Sequence, residues 1–199
     1  MGRSLCSFIV YGTQRGVQGY VPLAQIAIVG NGPSRHLYSP FKGDVCVCNI
    51  PQLDVPYDYI SIVDVKAFNY VSKEQLTFDK PILTTEDTLR QVQGYGIKTE
   101  VKDVFPEKLM NSAATAANYF AEHYDTIWLY GCDALWSKNT GSHQDTLIPR
   151  HPRNANLHNQ WRAKWETVWK TGKTFVIVCP KDTKEIDYGK NVIWNRSKT

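Results

Sequence analysis

The sequence predicts an α/β domain built on a mostly parallel sheet flanked by helices. Three observations carry this. Apolar, β-branched runs recur between turn residues, most of them apolar almost continuously, as suits strands covered on both faces. Stretches with helical spacing lie between them, and the two kinds alternate along the chain.

In order, "QIAIVG" (25–30) is the first strand and runs into Gly30-Asn31-Gly32-Pro33-Ser34. "DVCVCNI" (44–50), "YDYISIVD" (57–64) and "PILTT" (81–85) follow as strands. "PEKLMNSAATAANYFAEHY" (106–124) is a helix, with Pro106 placed for its first turn and small residues along one stripe. "TIWLYG" (126–131) is a strand. "ANLHNQWRAKWETVWKTG" (155–172) puts Trp161, Trp165 and Trp169 on one helical face, read as core packing, and stops at Gly172. "TFVIVCP" (174–180) is the last strand expected. Residues 25–199 thus form one domain and 1–24 a segment of unassigned role. The polar segment 132–156 shows no period, and a loop that long in a compact domain is commonly an active-site loop.

At 199 residues the chain has room for one sizeable core. A net charge of +4 permits phosphate-bearing ligands, but there are no dense basic clusters of the kind that mark nucleic-acid binders. The local excess at Arg150, Arg153, Arg162 and Lys164 reads as a solvated face, with a phosphate clamp as the competing reading. Five cysteines without a CxxC pair point to buried free thiols in a reducing compartment, and no metal site is expected. The start, "MGRSLCSFIVYGTQ", is too short and too interrupted for a membrane span or secretory signal, and Cys6 stands where a myristoylation signal wants Ser or Thr. A cytoplasmic protein without a transmembrane segment is expected. Whether it forms a homo-oligomer is left open.

The turn at 30–34 follows a strand, where open parallel sheets bind ligands beyond their carboxyl ends. Gly30 and Gly32 would let a ligand approach the backbone, and Pro33 and Ser34 suit the start of a helix whose N–H groups attract phosphate. Arg35 stands where a dinucleotide fingerprint needs glycine, and no Gly-Lys-Ser/Thr follows. A phosphate-binding turn and a purely structural one are both open at this point.

"IAIVGNGPS" followed by "GDVCVCNIP" resembles the bacterial family 42 sialyltransferases and the proteins similar to 6-hydroxymethylpterin diphosphokinase. The resemblance continues through "MNSAATAANYFAEHYDTIWLYGCD" and closes with "WRAKWETVWKTGKTFVIVCP". It implies a Rossmann-like domain, a variant of the GT-A type, acting as a metal-independent glycosyltransferase on a nucleotide sugar, with no other cofactor. Asn31 and Asn49 would hold the nucleotide's phosphate and ribose. Ser112, preceded by Asn111 where the family tends to have Thr, would contact the nucleotide, and Asp133 ends the Gly-x-Asp motif. The absence of D-x-D agrees with metal independence.

Sugar transfer needs a base near neutral pKa, and 132–158 offers His143, His151 and His158. The family's base precedes the late helix, and counting back from Cys179-Pro180 ranks His151 first, His158 second and His143 third. The family's two leaving-group tyrosines are missing from "GCDALWSKNTGSHQD". Lys138, Ser142, His143, Arg150 and Arg153 are the candidates to replace them. The acceptor could be a glycan, a small molecule or a modified nucleobase. The alternatives are pyrophosphoryl transfer to a pterin alcohol, with ATP and Mg²⁺ held by Asp64 and Asp133, and a non-catalytic nucleotide-binding module.

Overall fold

The computed structural model describes residues 24–51, 55–148 and 152–197. Eight strands among them form one sheet, β1 (Gln25–Val29), β2 (Asp44–Cys48), β3 (Tyr59–Ser61), β4 (Ile82–Thr85), β5 (Val101–Phe105), β6 (Thr126–Tyr130), β7 (Thr174–Cys179) and β8 (Val192–Arg196). The helices are α1 (Val65–Lys73), α2 (Glu86–Val92), α3 (Ser112–Phe120) and α4 (Leu157–Trp169). Strand order is β5-β4-β3-β2-β1-β6-β7-β8, and every neighbouring pair is parallel. This is a Rossmann-like sheet with its topological switch between β1 and β6.

Period-two alternation divides the core. Ile26, Ile28, Cys46 and Cys48 face a layer that contains Ala114, Ala117 and Phe120 of α3 and Trp165, Val168 and Trp169 of α4. Ala27, Val29, Val45 and Val47 face the other layer, with Ala67, Phe68 and Val71 of α1 and Val92 of α2. Each fully buried Ile or Phe contributes about 1.5–3 kcal/mol. The alanines let α3 lie close across β1, β2 and β3. That closeness brings the start of α3 to the carboxyl edge of the sheet.

Five elements depart from the sequence reading. The edge strands β5 and β8 were not expected, because Lys102, Asp103, Asn195 and Arg196 are exposed and interrupt the apolar run. Helices α1 and α2 are short and start on local caps, where Asp64 accepts from Lys66 N–H at 3.0 Å and Thr85 from Thr88 N–H at 3.3 Å. The 106–124 helix begins only at Ser112, since Asn111 caps it by accepting from Ala114 N–H at 2.8 Å. Pro106 lies outside the helix. Among the described residues no helix is long and apolar enough to cross a membrane. Cys46, Cys48, Cys132 and Cys179 are buried free thiols, and Cys6 lies outside the described residues.

Candidate functional site

The ends of β1 and β6 are clasped together. Gly30 N–H donates to Tyr130 C=O and Gly32 N–H to Gly131 C=O, both at 2.8 Å. A Cβ on Gly30 would stand 2.7 Å from Gly131 O, and one on Gly131 (φ +62°) 2.7 Å from Gly30 O. A Cβ on Gly32 would collide with the Asp133 carboxylate. The glycines therefore serve the protein's own close approach, and Gly30 and Gly32 also border the adjoining cleft.

The same holds for the helix start. Pro33–Leu37 is a single short 3-10 turn, and its N terminus already holds an anion. Asp133 accepts from Ser34 N–H at 3.1 and 3.2 Å and from Ser34 Oγ–H at 2.7 Å. Burial raises the Asp133 pKa, and the Ser34 hydrogen bonds oppose that rise without cancelling it. Pro33 and Ser34 do not line the adjoining cleft, whereas Gly30, Asn31 and Gly32 do.

That cleft measures about 400 Å³, within the roughly 300–1,000 Å³ typical of small-molecule sites. Asn49 stands at its floor just beyond β2, in the left-handed region (φ 60°) that Asn tolerates. Ser112 Oγ–H donates to Asn49 Oδ1 at 3.0 Å and accepts from Val63 N–H at 3.3 Å, and Ser61 Oγ–H donates to Ser112 C=O at 3.1 Å. These bonds fix the Asn49 carboxamide and leave its NH₂ group without a protein partner among the described residues.

The wall beside it is the start of α3. Asn111 Oδ1 satisfies Ala114 N–H, but the N–H groups of Ser112 and Ala113 make no hydrogen bond among the described residues. A nine-residue helix thus directs two free donors and its positive dipole end at the cleft. Lys66 and Lys108, both exposed, stand on the rim without an ion pair among the described residues. Just before the cap, Asn111 N–H donates to Leu109 C=O at 2.8 Å across Met110 (φ 63°), a γ-turn of the strained, positive-φ kind. Such a backbone costs on the order of 1–3 kcal/mol and gathers at functional sites. Two amide atoms of cleft-lining residues, Asn31 Oδ1 and Asn111 Nδ2, are buried without a partner among the described residues.

Asn139, Thr140, Gly141, Ser142 and Arg153 border the cleft as well, while Lys138 lines an adjoining open groove. Asp145 holds Arg153 in a two-pronged ion pair, with Nη1 and Nη2 at 2.6 and 2.5 Å, and also accepts from Ser142 N–H at 3.0 Å. His143 is a brace. Its Nδ1–H donates to Asn31 C=O and its Nε2 accepts from the Arg35 guanidinium, both at 3.0 Å, so both ring nitrogens are engaged. Gln144, fully buried, donates from Nε2 to Ile50 C=O at 2.7 Å and ties the loop to the end of β2. His158 is buried on α4 away from the cleft lining, and its Nδ1 has no partner among the described residues. His151 and Arg150 lie outside the described residues.

Of the residues singled out from sequence, the structure brings Gly30, Asn31, Gly32, Asn49, Asn111, Ser112 and Asp133 to one cleft, with Ser142 and Arg153 from the loop and Asp64 from the cap of α1. Sequence reasoning missed Lys66, Lys108, Met110 and Trp161, which also line it. An exposed Lys or Met carries no signal until the strand order is known. The chain matches no protein-family model, no curated protein and no solved structure. Its class therefore rests on fold and site: an α/β protein with a Rossmann-like sheet and a cleft at the switch point.

Proposed function

We propose that the cleft binds the nucleoside phosphate portion of a nucleotide sugar, and that the protein is a glycosyltransferase moving that sugar to an acceptor hydroxyl without a metal. The observation that carries this reading is the start of α3, which borders the cleft with two N–H groups that make no hydrogen bond among the described residues, together with Lys66 and Lys108, which make no ion pair among them. In the transfer, the acceptor oxygen bonds to the anomeric carbon as the bond from that carbon to the phosphate oxygen breaks. The electron pair leaves on the phosphate, and a base takes the acceptor proton. Ser112 N–H, Ala113 N–H, Lys66 and Lys108 are suited to stabilise the departing phosphate. Asn49, held by Ser112, is suited to a ribose or phosphate oxygen. His151 is the base favoured by sequence. Asp133, a cleft-lining carboxylate whose pKa burial raises, is the described group best suited to the same role.

A second reading has one observation in its favour. Asp64 and Asp133 line the same cleft, as a Mg²⁺-dependent pyrophosphoryl transfer would require. A thermal-shift screen of CMP, UDP, GDP, ADP and ATP, each with and without Mg²⁺, separates the two. A metal-independent rise with one nucleotide, lost in Asn31→Ala, is the expected result. A rise seen only with ATP and Mg²⁺ moves the assignment to the second reading, and no rise with any of them removes both. Donor turnover in His151→Ala and Asp133→Asn then identifies the base.

A further inference from the structure

The tryptophan face of α4 does not behave uniformly. Trp165 and Trp169 are buried and stacked on each other, ring centroids 4.9 Å apart and planes 20° from parallel. Trp161, one turn earlier, is half-buried, touches no other aromatic ring among the described residues, and lines the cleft. Leu157, one turn before that on the same face, lines it too. Met110 is 42% exposed and lines the same space, held there by its γ-turn. An unstacked indole, an aliphatic side chain and a polarisable thioether thus sit beside a helix start with free N–H donors. Planar rings bind such surfaces by stacking and by contact with sulfur.

We infer that Trp161 and Met110 form a nucleobase subsite: the base of the bound nucleotide stacks on the Trp161 indole while its phosphate lies toward the start of α3. This rests on the nucleotide reading above and extends it by naming the part of the ligand that each end of the cleft takes. Stacking accepts any base, because every base has a π-face. Purine and pyrimidine nucleotides therefore both lose affinity when the indole is removed.

The test is titration calorimetry with AMP, CMP and ribose 5-phosphate on the unmodified protein, Trp161→Ala, Trp161→Phe and Met110→Ala, with far-UV circular dichroism to check each fold. Trp161→Ala should weaken the nucleotides by at least about tenfold and leave ribose 5-phosphate unchanged. Trp161→Phe should keep most of the affinity while losing the nucleotide-induced change in tryptophan fluorescence. It also supplies the answer if the alanine variant does not fold. Met110→Ala should cost a few-fold. Undiminished nucleotide affinity in a folded Trp161→Ala, with Ser112→Pro still weakening binding, overturns the subsite and leaves the nucleotide reading intact. Equal losses for ribose 5-phosphate and the nucleotides also overturn it. Failure of the unmodified protein to bind any nucleotide removes the reading on which it rests.

Discussion

Two segments border the cleft, and they use the same chemistry for opposite ends. Residues 30–34 hold the glycines and the helix start that a phosphate cradle needs, yet each feature is consumed inside the protein. The glycines admit Gly131 and Asp133, and the Ser34 donors are given to a carboxylate. Residues 108–113 have no glycine and a strained Met110, and they leave two N–H groups unpaired among the described residues. Donors satisfied by the chain make a scaffold, and donors left over make a site. Motif shape alone does not tell the two apart.

The largest effect that would break this contrast is on stability. Gly131→Ala introduces a Cβ at positive φ and 2.7 Å from a backbone oxygen, and it should cost on the order of 2–4 kcal/mol in urea unfolding. A cost below about 0.5 kcal/mol, the level of an ordinary surface change, would show that the clasp is loose.

On the other segment the effect should fall on binding. Ser112→Ala removes a hydroxyl, and Ser112→Pro removes the hydroxyl and the N–H at a first helical position that accepts proline, after an Asn111 already extended. Proline should bind nucleotide about tenfold more weakly than alanine, the value of one charge-assisted hydrogen bond. Equal affinities would mean that the start of α3 does not hold the ligand.

A smaller effect is expected from the lysines. Lys66→Ala with Lys108→Ala should weaken nucleotide binding about fivefold at low salt and less at high salt, with unfolding unchanged. Loss of stability in place of affinity would place these lysines in the scaffold.

The smallest effect is on pH dependence. Folding raises the Asp133 pKa, so the folded protein binds that proton more tightly than the unfolded chain. The resulting stability is complete below the ordinary value of 3.8 and is lost as pH rises through the raised one. The stability of the unmodified protein relative to Asp133→Asn should therefore fall as pH rises across that window. A difference that grows with pH would reverse the assigned shift.

Central strands were legible because burial on both faces leaves a nearly unbroken apolar run, as in Gln25–Val29 and Thr174–Cys179. Val101–Phe105 was not, since an edge strand carries charges that erase the run. The true start of α3 was present in the letters as Asn111 before a row of small residues, but Pro106 gave a competing signal. Of the residues that line the cleft, Asn49, Asn111 and Ser112 were singled out from sequence. The fate of His143 was not, because it depends on Arg35 and Asn31, more than a hundred residues away in the chain. Convergence of Lys66, Lys108 and Trp161 likewise follows from strand order, which no local pattern encodes.

The clasp between β1 and β6 also sets when the cleft can exist. Gln25 pairs with Thr126, so this seam closes a loop of about a hundred residues, and such non-local parallel pairing is slow to form. On a ribosome the first five strands can emerge and associate before β6 is available to complete the site. A nascent chain released before β6 would carry Gly30 and Gly32 with neither Tyr130 nor Gly131 to pair with.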